Sequence, residues 1–165
     1  MRWDRLFAEL EAGLDDEALV EREALVAELR DEEYSRTPWR ELLGGDVEVE
    51  VEGAGRIAGT VGLVNERLVR IDASGLEHVV ALPSVLGVRT DGRAPVLGSV
   101  DARLGWPHVL RALRDGGEEV RLVRRDGAAL RARVAQVVDG GVLVVSAERT
   151  VLLPLHALAV VTIPR

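Results

Sequence analysis

The chain has 165 residues, of which 47% are apolar and 3% aromatic, so its core must consist mainly of Val and Leu. It has no Cys, which excludes disulfides, thiolate metal sites and cysteine catalysis and predicts a reducing cytoplasm as its location. The net charge of −7 lies in residues 1–43, with 13 acidic residues and 6 Arg, so that part is expected to repel nucleic acid.

Residues 1–36 are predicted to form an acidic amphipathic helical arm. A short helix over residues 2–12 is followed by a break at Gly13, and Asp15 or Asp16 is expected to cap a second helix. The apolar stripe of this arm either packs on the rest of the protein or binds a partner or a second copy. Its candidate partner-binding residues recur at three- and four-residue steps: Trp3, Leu6, Phe7 and Leu10.

A pattern that occurs twice dominates the remainder of the chain. In each copy a short helix ends at a Gly-Gly pair, at Gly45 in the first and Gly117 in the second, and five short β-segments follow. The Gly pairs are 72 positions apart, which indicates a duplicated small β-module. The predicted boundaries are residues 37–90 for module 1, 91–105 for a linker and 106–165 for module 2.

A helix that ends in Gly, followed by five strands with a bent, Gly-containing second strand, resembles the Sm-like fold of the Sm and Lsm proteins and of bacterial Hfq. The segment Arg56–Asn65 is similar to that family's first motif, and residues 3–11 resemble the start of an uncharacterised actinobacterial protein family. The resemblance implies a mainly β fold with helices, of the α+β class. We therefore expect two tandem five-stranded Sm-like barrels behind the helical arm.

RNA binding is an activity that the resemblance implies. Asn65 matches the Asn that contacts RNA between the second and third strands of Sm-like proteins, and His156 lies near the position of the second RNA-contacting loop. Module 2 adds basic candidates: Arg121, Arg124, Arg125, Arg131 and Arg133. Neither β-run contains an aromatic residue that could stack on a base, so RNA binding is the alternative function and is expected to be weak.

No catalytic, cofactor or metal site is predicted. The three histidines have no metal-ligand spacing, and no nucleophile motif occurs. Residues 53–59 imitate a dinucleotide-binding loop, but a β-branched strand rather than a helix follows them. These observations favour a non-enzymatic protein.

The leading functional prediction is a binding and assembly module whose protein contacts use strand edges and the helical arm. In the Sm-like family the edges of strands four and five join neighbouring units, and unpaired edges recruit other strands. Module 2 has apolar candidates for such an edge: Val151, Leu153, Leu158 and Val160. The first strand is acidic in module 1 and basic in module 2, so we expect the modules to pack together and the chain to form a dimer or a larger oligomer.

Overall fold

The computed structural model of the protein describes residues 2–92 and 101–165, with only the backbone described at residues 2–12 and 14. Residues 1–38 and 39–165 form two compact units. The candidate partner-helix side chains are outside the described part: Trp3, Leu6, Phe7 and Leu10.

The first unit is one long helix, α1 (Arg2–Arg36), so the predicted break at Gly13 is wrong. One Gly inside a helix costs about 1 kcal/mol relative to Ala, and the Leu, Ala, Glu and Arg residues around it are good helix formers. Residues 15–36 are exposed throughout, including several large apolar side chains: Leu19, Val20, Leu25, Val26, Leu29 and Tyr34. No helix in the described part of the chain is long and apolar enough to cross a membrane.

The second unit contains, among its described residues, ten strands and a second α-helix, α2 (Trp106–Gly116). The short helix predicted to end at Gly45 is only a 3-10 turn (Trp39–Leu42). Helix α2 ends where predicted, because Gly117 has φ +68° and its N–H donates to the last turn. The strands are β1 (Gly44–Val51), β2 (Gly55–Val64), β3 (Leu68–Ala73), β4 (Leu76–Ala81), β5 (Val85–Gly92), β6 (Glu119–Arg124), β7 (Ala129–Val138), β8 (Gly141–Ser146), β9 (Arg149–Pro154) and β10 (Leu158–Pro164).

All ten strands belong to one antiparallel sheet, in the order β5-β1-β2-β3-β4-β10-β6-β7-β8-β9. The expectation of two tandem five-stranded barrels is therefore wrong. Strand β10 pairs with β6 of its own repeat on one side and with β4 of the first repeat on the other. Because β10 uses both of its edges, the sheet runs from one repeat into the next and stays open, with β5 and β9 at its ends. The overall class is α+β.

The two repeats have the same strand pairing. Equivalent positions lie 73 residues apart, so the 72-residue offset of the Gly pairs in the sequence misses the structural equivalence by one residue. The second strand of each repeat has a register shift, which in β2 falls at Gly62. Matched pairs that show the offset are Val47–Gly59 with Val120–Ala132, and Val49–Val88 with Leu122–Val161.

Two hydrophobic cores lie on either side of β10. The first is formed by β1 to β4 and also takes in Val160, and the second packs under α2 and takes in Val161. Leu158 and Val160 are each 1% exposed. The prediction that these two residues form an exposed association edge is therefore wrong, since β10 is an internal strand with both faces buried.

Candidate functional site

The junction between the repeats is a pairing of five residues on β4 with five on β10. Val80 lies opposite Val160, and His78 lies opposite Thr162 with 3.0 Å between Nδ1 and Oγ1. Burial lowers the pKa of His78, and the nearby Arg121 guanidinium lowers it further. The imidazole is therefore neutral at neutral pH, and the middle of the junction carries no added charge.

A second contact joins the β1–β2 turn of the first repeat to the β6–β7 turn of the second. Gly53 packs so closely on the Arg124 and Arg125 carbonyl groups that a side chain has no room there. Beside it, Arg125 Nε donates to Glu52 Oε2 over 2.7 Å. This ion pair is the only part of the predicted charge complementarity that joins the repeats in the described residues. The other ion pairs of β1 and β6 form within a single repeat: Glu48 with Arg56 and Arg89, and Arg124 with Asp126.

Asn65 holds the segment that leads into α2. Its Nδ2 donates to the carbonyl oxygens of Asp101 and Leu104, each over 2.9 Å. Its Oδ1 accepts from the backbone N–H groups of Arg67 and Leu68. With 3% exposure and all four bonds used inside the protein, Asn65 is not available to RNA, so its prediction as a contact residue is wrong.

A groove of about 350 Å³ lies where the loops of both repeats meet the start of α2; we call it the loop groove. It brings together Arg125 and His156, two of the basic residues predicted from sequence. Residues that sequence reasoning missed also line it: Arg67, Ser84, Gly105 and Trp106. These positions are distant from one another in the sequence. The one local signal was Trp106-Pro107, a dipeptide that places an aromatic ring at the start of a helix.

The chemistry of the loop groove suits an anionic ligand with a planar group. Arg67 is exposed and has no ion pair in the described part of the chain, and its guanidinium lies over Gly105. Gly105 is the N-cap of α2 and supplies no side-chain cap, so the positive end of the helix dipole faces the groove. Ser84 is 1% exposed and its hydroxyl has no partner. Trp106 supplies an aromatic ring.

The other basic candidates lie elsewhere. Arg121 is directly opposite Arg131 on β6 and β7, and Arg133 is opposite Glu119. All three arginines are exposed on the sheet and do not line the loop groove. Arg124 is half-buried and paired with Asp126. The structure therefore divides the predicted basic set: Arg121, Arg131 and Arg133 form an arginine stripe on β6 and β7, Arg125 and His156 line the loop groove, and Arg124 belongs to neither.

The two ends of the sheet carry exposed apolar side chains. On β5, Leu86 is 66% exposed, and on β9, Leu152 is 58% exposed. The predicted edge residues Val151 and Leu153 also belong to β9, which pairs with β8 on one edge only, but Leu153 lies in the second core and Val151 packs against it. These ends are the strand edges that remain open to another chain.

Comparison with known proteins assigns no family to this chain, because it matches no protein-family model and no curated protein. Within residues 2–92 and 101–165, no three His, Cys, Asp or Glu side chains are grouped so that they could hold a metal ion.

Proposed function

We propose that this protein is a non-enzymatic assembly module that associates head to tail, with β9 of one copy pairing with β5 of the next. The observation that carries the proposal is the β4–β10 pairing inside the chain. Strand β9 is the repeat equivalent of β4, and β5 is the equivalent of β10. A β9–β5 contact between chains would repeat a junction that this sequence already forms once.

The repeat offset gives the register of this contact. It places Val88 of one copy opposite Leu152 of the next, as Val161 lies opposite Val79 within the chain. It also places Asp91 opposite Arg149, which is a favourable cross-strand charge pair. Each copy has one edge of each kind, so the interface is heterologous and produces a closed ring or an open filament. The exposed apolar side of α1 supplies a second contact surface in this proposal.

Single cysteines test the pairing, because the natural chain has none. We expect a Val88→Cys chain mixed with a Leu152→Cys chain to form a disulfide-linked pair under mild oxidation, measured by non-reducing electrophoresis. Directly opposed strand residues have Cα atoms about 4.5–5.5 Å apart, which is within the range of a disulfide. Leu86→Cys mixed with Leu152→Cys is the matched control, because Leu86 would lie two residues out of register and crosslink poorly.

Several results would reject head-to-tail assembly. Light scattering that shows only the monomer mass at tens of micromolar protein is one of them. A second is a Leu152→Cys chain that crosslinks with itself as readily as with Val88→Cys, because that would indicate a symmetric β9–β9 contact. Equal crosslinking of the matched and shifted pairs would indicate random collision rather than a defined register.

The second candidate function is binding of single-stranded RNA, and the loop groove is the observation that favours it. Arg67 attracts phosphate, while Trp106 is an aromatic surface for a base. The acidic α1 opposes this function, because nine acidic residues lie between Asp15 and Arg36 against three Arg.

Arg67→Glu distinguishes RNA binding in the loop groove from RNA binding on the arginine stripe of β6 and β7. If the groove binds RNA, this substitution should weaken binding of a labelled oligouridine by about tenfold, the loss expected for a charge-assisted contact. Arg131→Glu makes the same charge change on the stripe and should have a smaller effect. Fluorescence anisotropy at physiological salt measures both, and no binding by the natural chain would reject this candidate.

A further inference from the structure

A second cavity, of about 490 Å³, lies between α2 and the sheet; we call it the helix cleft. Its volume falls within the range of about 300–1,000 Å³ that is usual for small-ligand sites. Its walls are mainly aliphatic: Leu63, Leu68, Val79, Leu104, Leu113 and Ile163. On the side of the helix, Ala112 is exposed at the cleft and leaves its mouth wide. The cleft therefore has the size and the lining for the body of an aliphatic or aryl molecule.

Among the described residues Arg70 is the cation that lines the cleft, and its hydrogen bonding is incomplete. Arg70 lies half-buried on β3 with its guanidinium over Gly62, where the missing side chain makes room for it. Its Nε is buried and has no hydrogen-bond partner. The nearest carboxylate oxygen is Asp72 Oδ1 at 3.9 Å, which is too far for a hydrogen bond. An unpaired buried donor of this kind is costly, and an acceptor that reached it would be bound favourably.

The neighbouring carboxylates do not fill this need. Arg165 Nη2 donates to Asp72 Oδ1 over 2.6 Å and to Glu77 Oε2 over 3.4 Å. Both acids are therefore hydrogen-bonded to Arg165 rather than to Arg70. Glu118 lines the cleft but is exposed. His108 lines it as well and is also exposed.

From this arrangement we infer that the helix cleft binds a small carboxylic acid with an aliphatic or aryl body. The carboxylate accepts from the partly exposed guanidinium of Arg70, in a charge-assisted contact of the kind that guanidinium groups favour. The body lies along the apolar wall beneath α2. This site is separate from the sheet edges and the loop groove, so it does not depend on the proposed function.

Octanoate and octanol test the inference, because they share an alkyl chain and differ in the head group. We expect saturable binding of octanoate by isothermal titration calorimetry, about tenfold tighter than that of octanol, as one charge-assisted contact would give. Arg70→Gln should remove the preference for octanoate. Ala112→Trp fills the mouth of the cleft from an exposed helix position and should weaken both ligands. Arg67→Gln, a matched loss of charge outside the cleft, should change neither.

The inference is overturned by any of three results. The first is no saturable binding of millimolar octanoate to the natural protein. The second is equal affinity for octanoate and octanol, which would show that the site does not recognise the carboxylate. The third is unchanged octanoate affinity in Ala112→Trp, a variant whose folding circular dichroism would verify, because binding would then occur outside the helix cleft.

Discussion

Gly53→Ala is expected to destabilise the protein by about 3–5 kcal/mol, while Gly55→Ala in the same turn should cost only about 1–2 kcal/mol. Both glycines have similar positive φ angles, +77° and +75°, so both variants bear the same left-handed backbone cost. They differ in surroundings: a Cβ at Gly53 would lie 2.6 Å from the Arg125 carbonyl oxygen, and one at Gly55 would meet nothing within 4 Å. The difference between the variants therefore measures how tightly the two repeats are packed.

Urea denaturation of the two variants, compared with the natural chain, measures this difference. The clash at Gly53 is with backbone of the other repeat, which cannot move without shifting the β6–β7 turn, so relaxation should be limited. Equal losses for the two variants would show that the repeats separate at little cost. A lower urea m-value in Gly53→Ala alone would indicate that one repeat unfolds before the other.

The local elements could be predicted from the sequence because their signals are short-range. Alternating Val and Glu in β1, and the Gly pair that ends α2, reflect backbone geometry that neighbouring residues determine. The choice of partner strand could not be predicted in the same way, because β10 would look alike at an edge and in the interior. A run of consecutive apolar residues did not distinguish the two cases, because Val160-Val161 lies in the internal strand β10 and Val151-Leu152-Leu153 lies in the end strand β9.

The candidate site was harder to predict, since its residues come together only through long-range contacts. Asn65 occupied the position that the Sm-like resemblance singles out, but its amide meets carbonyl groups 36 and 39 residues later in the chain. Nothing in the local sequence indicates that those carbonyls would lie there. Arg67, two residues after Asn65, was not predicted as a site residue. An exposed Arg in a loop has no distinguishing sequence signal, and only the fold brings it to Gly105 at the start of α2.

Asn65→Ala is expected to lower the free energy of unfolding by about 2–4 kcal/mol, because it leaves buried carbonyl and N–H groups without partners. Asn65→Asp is a sharper variant. It keeps an acceptor for the Arg67 and Leu68 N–H groups but turns a carboxylate oxygen toward two carbonyl oxygens. That repulsion raises the pKa of the new carboxyl group, so Asn65→Asp should be less destabilised at pH 4 than at pH 7.

Ser84→Ala is the matched control, since Asn65 and Ser84 are the buried polar residues in the described part of the chain. The Ser84 hydroxyl has no hydrogen-bond partner, so its removal should change stability by less than about 0.5 kcal/mol or should stabilise the protein. Denaturant unfolding at the two pH values gives all three comparisons. A loss for Asn65→Ala no larger than that for Ser84→Ala would show that residues 101–104 do not depend on Asn65. Hydrogen exchange at the amides of α2 would then be unchanged, whereas a holding role for Asn65 requires that these amides exchange faster in Asn65→Ala.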